Sequence, residues 1–429
     1  MRALLVCSES PDARFTGVGK RTLQIASLLR PRYEITLAMS DAERCSLRMD
    51  MEIISTRNPH FSKEIQSFDL VYSNAQTFPT IPGIRSFAGV RLVDLYIPFF
   101  LEHQIMFESR EPSERMERAW IDRALLSESL QMGDLFLCAC PHQVHLYHGQ
   151  LSLLRPLNTP GVLELPYVLY PRIRTYSQNP QHLCWIGGFW NWFHVSPLLQ
   201  VLPALMENTQ LQVSFIGPVH PFDSSLHRQE ELEELESIQR DYPERIRIIP
   251  WLPPDDYLDF LKTVDVAIVL HRETTEAPYS LRTRFCEILE LGIPLICSAG
   301  GFFSDLVANY QVGVVLAKNS AEELLDAIHK STSTQPDSWG NHVGIYARFS
   351  FSKIQTKLIR ALQDPLPQSV PRNPYLDLSV SSFAYERFRI KEAWRRGWRY
   401  FLEKLTRWIK VRVLRLKPSK LTLKRTWPQ

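Results

Sequence analysis

Long uncharged apolar runs are missing from this sequence. None approaches the roughly 18 residues of a membrane-spanning helix, so no bilayer crossing is expected. The opening MRALLVC is too short for the apolar region of a signal peptide and runs straight into polar SESPD. No leader is expected. Cys-x-x-Cys pairs are also lacking. The seven cysteines (7, 45, 138, 140, 184, 286 and 297) are odd in number and scattered through apolar segments, where they read as small hydrophobes. Cys138 and Cys140 share a face at strand spacing, but a metal site there needs ligands from elsewhere, and no metal is expected. Such cysteine usage fits a reducing cytoplasm. No repeat relates the two halves, and no nucleic-acid fold signature appears, so nucleic acid is not expected as a partner.

What is present is ordinary for a globular chain. Of 429 residues, 45% are hydrophobic and 22% charged, enough for a large core and for two or three domains. The net charge of +3 hides an asymmetry: residues 386–429 carry 15 Lys or Arg against 3 Asp or Glu, which leaves the rest of the chain at −9.

Strand-like runs at 2–7, 33–39, 51–56, 69–74, 90–96, 134–140 and 161–168 alternate with helical patterns, among them 22–29, 107–131 and 141–154. After a polar stretch with two prolines (170–181), a second series begins. Its strands are 182–188, 211–217, 245–250, 265–271, 293–297 and 312–316. Helical patterns lie between them at about 195–206, 226–240, 255–263, 281–291 and 319–330. Such alternation predicts two doubly wound α/β domains with mostly parallel sheets. The expected divisions are 1–170, a linker at 171–181, 182–350, a closing helix at 351–365 and a tail at 366–429. Ligands of open α/β sheets bind beyond the carboxyl ends of the strands. Glycine-bearing loops fall at such ends: Gly17 and Gly19, Gly187 and Gly188, Gly300 and Gly301. Two such edges facing each other make a cleft.

The stretch EAPYSLRTRFCEILELGIPLICSAGG (276–301) is the most informative. Ser280 reads as an N-cap. Arg282 and Arg284 then fall in the first helical turn, where each cation costs roughly 0.3–1 kcal/mol against the helix dipole. Two cations so placed after a buried strand point to a phosphate or diphosphate, which first-turn N–H groups also favour. A surface helix with an internal salt bridge to Glu276 or Glu287 is the bland alternative. TGVGKRT fails as a P-loop: Arg14 stands where the first glycine belongs, and Lys20 is followed by Arg21 instead of Ser or Thr. Its glycines suit a loop whose backbone approaches a ligand, or simply a surface loop. In GGFWNWFHVSP (187–197) the aromatics serve either as core or as a stacking surface, and Asn191 and His194 are the polar candidates for a ligand. Asp94, ending a strand in VRLVDLYIPFFLEH, reads as a base facing the cleft or as a cap.

In order along the chain, the early Gly-x-Gly loop, VDLYIP, GGFWNWFHVSP and SLRTRFCEILELGIPLI resemble the group 1 (family-four-like) glycosyltransferases of GT-B architecture, over roughly residues 1–365. The resemblance implies a nucleotide-diphosphate sugar as co-substrate, no permanently bound cofactor, no metal, and transfer with retention. It implies donor binding mainly by the second domain, where Glu287 would hold the ribose hydroxyls and Gly187, Gly188, Asn191, His194, Ser280 and Thr283 would lie near the nucleotide. Gly17, Gly19 and Lys20 would form an acceptor-side loop. The family's earlier glutamate falls at Tyr279, and Glu276 is the nearest carboxylate. Its usual Arg and Lys fall near Phe189 and His194, and its histidine of the first domain falls at Asp94. With those basic residues missing, Arg282 and Arg284 are expected to supply the charge, with Asp94 and Glu276 as further catalytic candidates. A catalytically degenerate binding protein and a nucleotide-sugar epimerase are the alternatives.

The basic tail repeats Trp394, Trp398, Phe401, Leu402, Leu405, Trp408 and Ile409 at helical spacing, among Arg395, Arg396, Arg399, Lys404, Arg407 and Lys410. That pattern fits a helix lying in an anionic membrane interface, or one that docks on protein. The expectation is a cytoplasmic protein, peripheral on the inner face of the membrane, whose acceptor is a glycan or lipid-linked glycan.

Overall fold

The computed structural model describes residues 1–9, 17–40, 42, 50–155, 159–175, 177, 180–219, 228–334, 339–340 and 342–363. The tail helix expected within 386–429 lies outside them, as do Cys45 and most of the loop before Gly17. Continuous apolar runs give two parallel sheets. The first contains β1 (Arg2–Val6), β2 (Glu34–Met39), β3 (Glu52–Ser55), β4 (Leu70–Asn74), β5 (Val90–Asp94), β6 (Leu135–Cys138) and β7 (Val162–Glu164), in the order 3-2-1-4-5-6-7. The second contains β8 (His182–Ile186), β9 (Gln212–Ile216), β10 (Ile246–Ile249), β11 (Val266–Val269), β12 (Leu295–Ser298) and β13 (Gly313–Leu316), in the order 10-9-8-11-12-13. Strands buried on both faces need no polar alternation, which is why runs such as Leu135–Cys138 and Val266–Val269 are wholly apolar and wholly buried.

Helices cover the sheets. Those of the first half are α1 (Gly17–Leu29), the single turn α2 (Phe61–Glu64), α3 (Phe99–Met106), α4 (Pro112–Met132) and α5 (Pro141–Leu154). Those of the second are α6 (Ser196–Asn208), α7 (Gln229–Asp241), α8 (Pro254–Leu261), α9 (Thr283–Glu290), α10 (Phe302–Tyr310), α11 (Ala321–Ser333), α12 (His342–Arg348) and α13 (Phe351–Ala361). All belong to one compact unit. The strand order reverses direction between β1 and β4 and again between β8 and β11, and these switch points are where open α/β sheets take ligands.

Four features differ from the sequence reading. Gly17 and Gly19 open α1 and are not in a loop; the Gly19 N–H donates to Glu9 Oε2 at 2.8 Å. Short α3, α10 and α12 were not anticipated. The glycines after β12 lead straight into α10, where the Gly301 N–H donates to Ser304 Oγ at 3.0 Å. The closing helix, α13, does not cap the second half. It returns to the first, where Gln355 Nε2 donates to the Leu28 carbonyl of α1 at 3.3 Å and Lys357 pairs with Glu164 at 3.9 Å.

The fourth difference concerns Asp94. Its side chain is wholly buried and faces inward beneath α1, not into the cleft. Arg21, equally buried, donates from Nε to Asp94 Oδ2 at 2.9 Å and from its two terminal nitrogens to the carbonyls of Pro166 (3.1 Å) and Leu165 (2.6 Å). Tyr72 Oη donates to the same carboxylate oxygen at 2.8 Å, and the Tyr96 N–H to the other at 3.1 Å. No part of this carboxylate is available to a substrate. Its work is to tie α1 and β5 to the chain leaving β7. Polar residues 170–174 are strapped in the same manner. The Arg172 N–H donates to the Glu290 carbonyl at 2.8 Å and its Nε to the Glu290 carboxylate at 3.1 Å, while Arg174 reaches the Val264 carbonyl and Asp265.

Removing one partner of a buried ion pair strands the other, at about 3–5 kcal/mol. Asp94→Ala is therefore expected to lower unfolding stability by that amount in urea titration. A double Arg21→Met, Asp94→Leu replacement should cost less than Asp94→Ala alone. A stable Asp94→Ala protein with abolished turnover would instead restore the catalytic reading.

Candidate active site

The cleft between the two sheets encloses a cavity of about 390 Å³. Its first wall comes from the start of α1 and from Tyr96 to His103, after β5. Its second comes from Trp190 to Phe193, Trp251 to Tyr257, and Ser280 to Glu287.

The second wall is organised by α9. A one-turn 3-10 helix (Ala277–Tyr279) ends at Ser280, and α9 starts at Thr283 with Arg282 as its extended N-cap residue (φ −78°, ψ 111°). Ser280 is thus not the N-cap; it is nearly buried and lines the cavity together with Thr283. The helix closes as its sequence predicts, with Gly292 at φ +63° and the Ile293 N–H donating to the Ile288 carbonyl.

Arg282 and Arg284 both line the cavity. Arg282 Nη2 donates to Glu276 Oε2 at 2.7 Å, and its guanidinium lies 5.8 Å from the Trp192 ring centre and 5.6 Å from that of Phe193. Glu276 is fully buried behind it and does not line the cavity, so it is a positioning residue for Arg282. Arg284 sits between the Trp190 and Trp251 rings, at 5.5 and 5.1 Å. It rests directly on Gly187: at φ +135°, a Cβ there would stand 2.5 Å from Arg284 Nη1. Burial lowers the Arg284 pKa, and Arg282 adds to this against the pull of Tyr257 and Glu287. Gly188 has a parallel role, since a Cβ would meet Trp190 Nε1 at 2.4 Å.

Glu287 lines the cavity and is paired across the cleft with the Lys20 ammonium. Lys20 was expected in an acceptor-side loop; it lies in the first turn of α1 and meets the residue expected to hold the ribose. Gly17 abuts the same region, where a Cβ would stand 2.9 Å from Tyr96 Oη and 3.2 Å from Thr283 Cγ2. Gly19 does not line the cavity, nor do Asn191 and His194. Asn191 is turned to the Ile105 carbonyl, 3.5 Å from its Nδ2, and its own carbonyl accepts from Arg272 at 2.8 Å. His194 is half-buried, and burial, with Arg228 and Arg272 nearby, lowers its pKa. Within Trp190–His194 the aromatics line the cavity, as a stacking surface would, whereas Asn191 and His194, the expected polar ligand contacts, point elsewhere.

Two groups were missed. Trp251 and Tyr257 follow β10, where a tryptophan before paired prolines was the available signal. Glu102, in α3, lines the cavity from the first wall. Burial and the nearby Glu276 push its carboxyl up to about 7, against the pull of Arg282. Its signal was an acid in the first helical turn after a parallel strand. Several polar atoms at the site are buried without a hydrogen-bond partner among the described residues: Arg282 Nε, Glu276 Oε1, Glu287 Oε2 and Trp192 Nε1. Arg282, Glu287 and Trp192 line the cavity, where a polar ligand would satisfy these atoms.

Residues 178–348 match the family described as Glycosyl transferases group 1. No curated protein matches the chain by sequence. Among solved structures, sucrose-phosphate synthase from Thermosynechococcus elongatus superposes with a TM-score of 0.56 at 13% identity, over 85% of this chain and 98% of that one. A trehalose-6-phosphate synthase gives 0.61 at 11% identity, over 86% and 100%. Anabaena HepE, in complex with UDP-glucose, gives 0.59 at 15%, over 85% and 100%. At such identities the superpositions speak for the fold, and the family match speaks for the domain. Residues 178–348 thus carry a group 1 glycosyltransferase domain, and the chain as a whole has the two-domain GT-B fold of these structures.

Proposed function

We propose that the chain transfers a sugar, with retention and without a metal, from a nucleoside-diphosphate donor to a glycan or lipid-linked acceptor. The carrying observation is the pair Arg282 and Arg284, held at the start of α9 on the cavity wall, with Arg282 Nε lacking a hydrogen-bond partner among the described residues. UDP-sugars are the first donors to test, since the HepE and Escherichia coli trehalose-6-phosphate structures hold UDP-glucose and UDP-2-fluoroglucose. In this reading the donor's diphosphate lies against Arg282, Arg284 and the first-turn N–H groups of α9. Glu287 exchanges its Lys20 partner for the ribose hydroxyls, and Ser280 and Thr283 hold the phosphates' flank. The anomeric C–O bond breaks with its electron pair on the phosphate oxygen. The acceptor oxygen bonds to the anomeric carbon, and its proton passes to Glu102. Fixed cations facing the developing diphosphate charge need no reorganisation in the transition state. A base with a pKa near the working pH is the effective kind.

Two outcomes follow from these roles. Removing a preorganised donor of this type costs on the order of 10²–10³ in turnover. An Arg282→Ala, Arg284→Ala protein should lose at least that, and should lose the thermal stabilisation by UDP, which is about 2.7 kcal/mol at 100 times the Kd. Wild-type turnover and affinity in that variant would overturn the assignment. For Glu102, activity should rise as pH rises through about 7, because the base must be ionised. Its raised pKa also means that the folded state holds the proton more tightly than the unfolded chain. Stability therefore falls from about pH 4.5 to pH 7 and is level above. Glu102→Gln should abolish the pH dependence of rate and lose about 10²-fold in kcat at pH 8. It should also melt higher than wild type at pH 8 while matching it at pH 4.

No helix among the described residues is long and apolar enough to cross a membrane. The amphipathic basic tail supports a peripheral location on the inner, anionic face of a membrane. Sedimentation with anionic vesicles should pellet the full chain and not a chain lacking 386–429. Equal pelleting would assign membrane binding elsewhere.

A further inference from the structure

A second cavity, of about 870 Å³, lies between α3, α4 and α5 in the first half. Its apolar lining includes Phe100 and Phe107, from α3 and the residue after it, Leu126 and Leu130 from α4, and Leu154 from α5. Two of its lining residues, Met116 and Leu153, are among the most exposed large apolar side chains described, at 60% and 81% exposure. Trp120, on the same stretch of α4, is exposed as well and carries the Arg123 guanidinium 4.8 Å from its ring centre. A well-packed core leaves no void of this size, and apolar surface kept open to solvent marks a binding site.

Charge and position narrow the occupant. Arg118 and Asp122 line the groove but neutralise each other at 2.5 Å. Arg115 and Arg123 remain, both exposed on the lining and facing no other acid there. An apolar groove with two cations at its edge is complementary to an alkyl chain that ends in phosphate. The groove also borders the catalytic cleft, because His103 lines both. The His103 ring is held by Asp122 at 2.8 Å, and burial lowers its pKa, so it is a neutral partition between the two spaces.

We propose that the α3–α4–α5 groove holds the hydrocarbon chain of a lipid-linked acceptor, whose phosphate lies by Arg123 and Arg115 and whose sugar enters the cleft past His103. The assignment rests on the glycosyltransferase reading above and names its acceptor class: an alkyl or isoprenyl phosphate or diphosphate bearing the sugar.

Farnesyl diphosphate, below its micelle concentration, is the probe, titrated into the full chain with intrinsic tryptophan fluorescence as readout. Saturable binding is expected, at least tenfold weaker in Arg115→Glu, Arg123→Glu. Ala119→Trp, which fills the groove from an exposed lining position, should weaken it similarly and leave UDP binding unchanged. Neither UDP nor inorganic diphosphate should displace the probe. Absence of saturable binding, undiminished binding to Ala119→Trp, or displacement by UDP would each overturn the proposal, the last by placing the probe in the donor cleft. UDP binding to the unmodified chain separates the two readings. If UDP binds and the lipid does not, the groove assignment alone fails. If the lipid binds and UDP does not, the donor assignment alone fails.

Discussion

Two guanidinium groups are held at the beginning of a helix, where the backbone already presents partial positive charge. The structure around α9 is arranged to tolerate that. Glu276, buried behind Arg282, offers one carboxylate oxygen, and its other oxygen has no hydrogen-bond partner among the described residues. Trp190 and Trp251 present ring faces to Arg284, and Gly187 gives up its side chain so that the guanidinium can lie on the backbone. None of these neighbours neutralises the second cation. A diphosphate would, and the arrangement is easiest to understand as one half of an ion pair whose other half is a ligand.

The cleft depends on the two halves being held in register, and the ties are polar and local. Arg21 joins the first helix to β5 and to the segment leaving β7. Arg172 and Arg174 clip the segment before β8 to the end of α9 and the start of β11. Helix α13 carries the chain back to α1. Lys20 and Glu287 make the one tie that must open in the proposed cycle. It crosses the cleft at the place assigned to the ribose, so nucleotide binding and release of this tie are the same event. Glu287 Oε2 has no hydrogen-bond partner of good geometry among the described residues, so the carboxylate has an acceptor to offer a second hydroxyl.

Much of the fold was legible because a parallel strand buried on both faces is an unbroken apolar run, and all thirteen strands among the described residues coincide with runs read from the sequence. Three short helices, α3, α10 and α12, were lost. In α3 the strand-like run up to Tyr96 hides a start at Phe99, and in α10 the paired glycines look like a loop although they only lead to a cap. The arginines of α9 were legible because their position contradicts the helix dipole. Asp94 was misread because a carboxylate ending a strand looks the same whether it faces a cleft or a buried arginine. Arg21 lies seventy-three positions away, and no local pattern pairs them. Asn191 and His194 failed for a similar reason: the direction of each residue in a tight loop is set by backbone geometry, which polarity does not report.

Glu102 and Glu276 show how the wall of one half sets the chemistry of the other. Both carboxylates lie within the field of Arg282. Glu276 takes its hydrogen bond, and Glu102, left with burial and a like charge nearby, binds its proton more tightly. A ligand phosphate on Arg282 would offset that arginine's charge and make the Glu102 carboxylate a stronger base. As the diphosphate leaves with more negative charge, the same coupling draws the acceptor's proton toward Glu102. One arginine shared by two carboxylates thus links charge developing on the donor side to proton affinity on the acceptor side, and it does so only when both walls of the cleft are in place.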